Sequence, residues 1–177
     1  YIAAKKVSSF MKKRFGKKCP RLVALPHGLQ GNFWVTTPEA MAMEVTGFFV
    51  QGFRAAVLYL FPQGYDNRYW TVLAKNNDLI AAHEDAVING EKVTSQVSVE
   101  PVTPYPAPKK RIIPRYLPDH PEEPLLQYEA FRKGDAIVVA AGNYWSRGDV
   151  FFRMKVAGLK SAGKYMVSEV AGKRIYS

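Results

Sequence analysis

The residues of this 177-residue chain whose types suit catalysis or metal binding are few: three histidines, one cysteine and one glycine-bounded lysine turn. His27, His83 and His120 are scattered, and no pair of them has the spacing of a metal-ligand set. His83-Glu84-Asp85 falls in a segment read as helix, where successive side chains point apart, so the triplet reads as a polar helix face. His120, beside Asp119 in a proline-rich stretch, reads as a solvated loop histidine. Cys19 is alone, so it can form neither an internal disulfide nor a cysteine-based metal site. Residues 158–164, GLKSAGK, match the first seven positions of a phosphate-binding loop. The eighth position needs the hydroxyl of Ser or Thr to hold magnesium, and Tyr165 stands there. Strand-like residues follow instead of a helix, so the segment reads as a hairpin turn. No nucleophile-elbow or dinucleotide-binding glycine pattern occurs. With no convergent acid and base, the chain is expected to be non-enzymatic, with no cofactor, no bound metal and no small-molecule substrate.

The charge is more informative. The formal net charge is +10, which attracts nucleic acid, anionic lipid surfaces or acidic proteins. It is concentrated. Residues 1–21 hold Lys5, Lys6, Lys12, Lys13, Arg14, Lys17, Lys18 and Arg21 without a single Asp or Glu. Lys109, Lys110, Arg111 and Arg115 form a second cluster, and the rest of the chain is close to balanced.

These clusters must be placed by the elements around them. Residues 3–15 read as a basic amphipathic helix, with Val7, Phe10, Met11 and Phe15 at helical spacing and Gly16 as its stop. Residues 21–35 read as two short extended pieces around Pro26-His27-Gly28. A long helix then starts at Thr37 as N-cap, with Pro38 and Glu39 in its first turn, and its apolar recurrence runs to Phe61 before Pro62. Glu44, Gln51 and Arg54 within it argue against a membrane span, since a mid-span arginine costs roughly 3 kcal/mol. Gly47 and Gly52 read as points of close packing. Residues 67–89 read as more helix with a break near Asn76-Asn77, ended by Asn89-Gly90. Val93, Val97 and Val99 alternate with polar residues as a half-buried strand.

Residues 101–124 contain eight of the twelve prolines. Proline removes backbone donors and fixes φ, so this stretch reads as an extended segment without regular structure. Ala136–Ala140, Val150–Val156 and Tyr165–Val170 read as strands of an antiparallel meander. Helices first and strands later predict an α+β fold, with helices packed against a curved antiparallel sheet. The expected organisation is a basic arm over residues 1–19 and one domain over 20–177.

Lys133-Gly134-Asp135, with Gly142 and Gly148, resembles the turn of a ribosomal KOW motif, one residue out of its glycine register. A broader likeness covers about two-thirds of the chain. The run CPRLVALPHGLQGNFWV followed by TPEAMAMEVTGFFVQGF resembles the start of the soluble domain of inner-membrane scaffold proteins of type IV secretion and conjugation machines. Pro26, Gly28, Leu29, Phe33, Trp34 and the run Phe48–Phe53 carry it, and FFRMKVAGL with KYMVSEVAG is similar to that family's closing hairpin. The resemblance implies a nuclear-transport-factor-2-like fold, a structural role and no catalytic residues. It also implies a place on the periplasmic face of a bacterial inner membrane, with an anchor upstream of Tyr1. The basic clusters alone suggest an alternative, a nucleic-acid-associated subunit such as an organellar ribosomal protein in mitochondria.

Either way, the expected partners are other protein subunits, copies of the chain among them. The basic helix and the proline segment are the arms that reach them, because ordering either costs roughly 1–2 kcal/mol of backbone entropy per residue with little core in return. Phe10 and Phe15 on the first arm are the expected apolar contacts, joined on the second by Tyr105, Ile112, Ile113, Tyr116 and Leu117. Lys5, Lys6, Lys12, Lys13, Arg14, Lys17, Lys18, Lys109, Lys110 and Arg111 are the expected basic surface, facing an anionic membrane or nucleic acid.

Overall fold

The structure, a computed structural model, describes residues 2–24, 37–57, 67–102, 110–112, 122–124, 126–143, 150–159, 163–169 and 174–176. Its contacts group the chain into two compact units, Tyr1–Ile88 and Asn89–Ser177. The sequence reading divides the chain at residue 19 instead; the basic helix belongs to the first unit. The described helices longer than one turn lie in the first unit and most described strands in the second, an α+β arrangement.

The first unit begins with α1, Ile2–Phe15, whose last turn holds Lys12, Lys13 and Arg14, the charge sign that suits a helix C-terminus. Gly16, at φ +53°, stops it, and a 3-10 turn over Gly16–Lys18 leads to strand β1, Leu22–Ala24. Helix α2, Pro38–Val50, starts as expected: Thr37 Oγ1 accepts from the Ala40 amide at 3.2 Å and Pro38 occupies the first turn. It ends eleven residues before Phe61. The Gln51 and Gly52 amides turn back to the carbonyls of Phe48 and Phe49, Gly52 takes φ +96°, and the chain enters strand β2, Phe53–Ala56. β2 runs parallel to β1, with Leu22 opposite Phe53 and Ala24 opposite Ala56. Parallel neighbours need a crossover, and α2 lies in the connection between them.

Ala4, Ala24 and Phe53 form the core there, with Leu22 and Phe48 packed on it. The Phe48 and Phe53 rings meet at 5.2 Å between centroids and 58° between planes. A second core joins Met41 and Val45 of α2 to Tyr69 and Leu73 of α3, Asn67–Asn89. α3 runs unbroken for 23 residues, so the break expected at Asn76-Asn77 does not occur. Instead Asn76 Oδ1 accepts a 2.6 Å hydrogen bond from Thr46 Oγ1, which joins the two helices.

The second unit is built on a hairpin. β7, Leu126–Lys133, pairs antiparallel with β8, Ala136–Asn143, through a tight turn in which Gly134 takes φ +57°. β3, Glu91–Lys92, pairs with the end of β7. A 3-10 turn, Thr94–Gln96, then interrupts the strand expected across Val93–Val99 and leads to β4, Val97–Pro101. β4 pairs antiparallel with β9, Phe152–Val156. Val93, Val97 and Ala130 form the core of this unit, flanked by Val99, Tyr128, Ile137, Val139 and Val156.

Two short strands, β5 at Lys110–Ile112 and β6 at Glu122–Pro124, pair with each other. This corrects the reading of 101–124 as a stretch without a ladder. Residues 109–113 are free of proline and keep their amides, while Pro124 sits at the strand end, where a missing donor is tolerated. β10, Val167–Glu169, pairs with β11, Arg174–Tyr176.

Candidate functional site

The basic helix is the expected arm that the structure describes in full from Ala4 onward. Its expected apolar stripe of Val7, Phe10, Met11 and Phe15 is not the one it buries. Ala4 and Ser8 are buried and Met11 half-buried, whereas Val7, Phe10 and Phe15 are exposed, Phe10 at 60 %. At about 100° per residue, Ala4, Ser8 and Met11 share one narrow arc, and Phe10 and Lys13 lie on the far side. A Cβ on Gly52 would stand 3.6 Å from Ser8 Oγ and 3.4 Å from Lys12 Nζ. Ser8 and the Lys12 side chain reach the α2–β2 turn there, Ala4 packs on Ala24 and Phe53, and Phe10 faces out.

The outward side is cationic. Lys5, Lys6, Lys13, Arg14, Lys17 and Lys18 are exposed, and Lys12, also exposed, reaches back to Gly52. The Arg14 guanidinium carbon lies 5.9 Å from the Phe15 ring centroid, at the outer limit of a cation–π contact. Cys19 is half-buried, with its Sγ 3.5 Å from the Pro20 carbonyl.

Of the second arm the structure describes little. Lys110, Arg111 and Ile112 lie on β5, described as backbone only, and Lys109, Tyr105, Ile113, Tyr116 and Leu117 fall outside the described residues, as do His27 and His120. His83 is half-buried on α3 while Glu84 and Asp85 are exposed, so the triplet does point apart. In the phosphate-loop lookalike Lys164 is exposed, and the next described regular element is β10 rather than a helix. No group of three metal-ligating side chains occurs among the described residues.

Sequence reasoning missed a polar cluster in the second unit. Glu129, in the middle of β7, is fully buried; its Oε2 lies 2.8 Å from Lys92 Nζ and accepts a 2.5 Å hydrogen bond from Thr94 Oγ1. Thr94 Oγ1 in turn accepts from the Ala130 amide at 3.0 Å. Arg132 donates at 2.7 Å to Gln96 Oε1, and the Tyr128 hydroxyl donates at 2.9 Å to the Val97 carbonyl. A hydroxyl beside a carboxylate can serve as nucleophile and base. Here Glu129 is sealed from solvent and the Thr94 hydroxyl is held at both ends, so the cluster acts as a clasp that fixes the 3-10 turn to β7. The only sequence signal for it is a glutamate amid apolar residues in LQYEAF.

Among the described residues no helix is long and apolar enough to cross a membrane. Comparison with protein-family models, curated proteins and solved structures finds no match to this chain.

Proposed function

We propose that the chain is a non-enzymatic structural subunit of a multi-protein assembly, of the type IV secretion and conjugation kind, on the periplasmic face of a bacterial inner membrane. The resemblance over residues 20–53 motivates the choice of assembly. The observation that carries the structural role is the number of exposed large apolar side chains in the second unit. Phe151, Met166 and Val167 are 65 %, 76 % and 60 % exposed, and Phe152, Met154, Leu159 and Tyr165 are also exposed. Large apolar side chains left open in numbers mark surfaces that other subunits cover, and copies of the same chain are the first candidates. Sedimentation velocity of the full chain over a concentration series tests this. Self-association that weakens in Phe151→Asp and Met166→Asp supports the reading; a monomer at every concentration, unchanged by either substitution, counts against it. A second reading, a nucleic-acid-associated subunit, is favoured by one observation, the acid-free cationic run of residues 1–21.

A further inference from the structure

We propose that the outward face of α1 is an adsorption site for an anionic phospholipid bilayer, with Phe10 as the side chain that inserts and Lys13, Arg14, Lys17 and Lys18 as the headgroup contacts. The face is left over by the fold: α1 packs its small residues, Ala4 and Ser8, on its own unit and turns Phe10 and its basic neighbours outward. A 14-residue helix is about 21 Å long, so it lies along a surface and does not cross it.

Charge complementarity points to an anionic partner, because the first 21 residues contain no carboxylate side chain to repel one. The apolar residues decide between anions. Val7 and Phe10, which lie on that face, are 48 % and 60 % exposed among the cations. Against the phosphates of a nucleic-acid duplex these side chains stay in water. Against a bilayer they enter the boundary between headgroups and acyl chains while the lysine stems extend back to the phosphates. Lysine predominance fits too: these are flexible point charges suited to a dense anionic surface, with one arginine among them to fork onto a single phosphate.

Flotation of the full chain with phosphatidylcholine vesicles, with and without phosphatidylglycerol, tests the proposal. The chain is expected to float with the phosphatidylglycerol vesicles alone, and to be released as salt rises. Phe10→Ser is expected to lower vesicle partitioning roughly tenfold while leaving affinity for duplex DNA unchanged, and Lys13→Glu with Lys17→Glu to abolish both. All three positions are exposed, so an unchanged thermal midpoint shows that the fold is intact. Equal partitioning of the parent and Phe10→Ser, or indifference to phosphatidylglycerol, would overturn it. The proposed site lies on α1 and the 3-10 turn that follows it. The sedimentation test, run without lipid, reads a different surface, so either reading can fail without the other.

Discussion

Lys92 Nζ and Glu129 Oε2 lie 2.8 Å apart, the lysine side chain 45 % exposed and the glutamate not at all. A lysine at the rim thus neutralises a carboxylate inside. Lys92→Met leaves that charge buried with the Thr94 hydroxyl beside it. Removing one partner of a fully buried pair costs 3–5 kcal/mol, and solvent access at Lys92 reduces this to about 1–3 kcal/mol. Glu129→Gln removes the charge with its need for a counterion and is expected to cost less. Urea unfolding of the two variants reads the difference; a Lys92→Met variant as stable as the parent would show that Lys92 contributes nothing.

The inward stripe of α1 should tolerate no bulk. Ser8→Leu overpacks the contact with Gly52 and is expected to destabilise by about 1–3 kcal/mol. Phe10→Ala, on the exposed side, should stay within about 0.5 kcal/mol of the parent. The amphipathic stripe first read from the sequence predicts the reverse order, so thermal melts of the pair decide between the two faces.

Gly52 and Gly16 both have positive φ, at +96° and +53°, but differ in surroundings. At Gly16 the conformation is the ordinary left-handed well and a Cβ would meet nothing within 4 Å. Gly16→Ala is therefore expected to cost about 1 kcal/mol. At Gly52 the φ lies outside that well, and Lys12 and Ser8 are in contact range. Gly52→Ala should cost more, about 2 kcal/mol, and amide exchange in β2 should quicken with it.

The Thr46–Asn76 hydrogen bond predicts non-additivity. Asn76 Nδ2 is buried with no partner among the described residues, while Oδ1 accepts from Thr46. Thr46→Val leaves the whole amide unsatisfied and is expected to cost about 1–3 kcal/mol. Adding Asn76→Leu removes the unsatisfied group, so the double variant should recover most of the loss. Equal losses in the single and double variants would show that the hydrogen bond does not couple α2 to α3.

Local signals were legible in the sequence where local physics set them. Thr37, Pro38 and Glu39 marked the start of α2, because capping and helix-dipole preferences act within one turn. Asn67–Asn89 read as helix from its own periodicity, and Ala136–Ala140 as strand from its apolar run. Strand β7 was missed for the same kind of reason. Gln127, Glu129 and Phe131 are buried as well as Leu126 and Ala130, so neither face gives the polar alternation that marks a strand with one side in solvent. Val93–Val99 alternated correctly, but the Thr94–Gln96 turn, held by Glu129 and Arg132 from a strand more than thirty residues away, has no local signature.

By itself the sequence determined the separation of helical and strand-rich halves, the acid-free charge of residues 1–21 and the N-terminal boundary of α2. These depend on composition, periodicity and neighbours within one turn. Only the tertiary structure decided where α2 stops, since the apolar recurrence from Phe53 onward suits a helix as well as a strand until β1 is there to pair with it. Tertiary structure also decided which side of α1 faces solvent. Hydrophobicity favours burying Phe10, but Ala4 packs on Ala24 and Phe53 and Ser8 approaches Gly52, and this leaves Phe10 outward among the lysines.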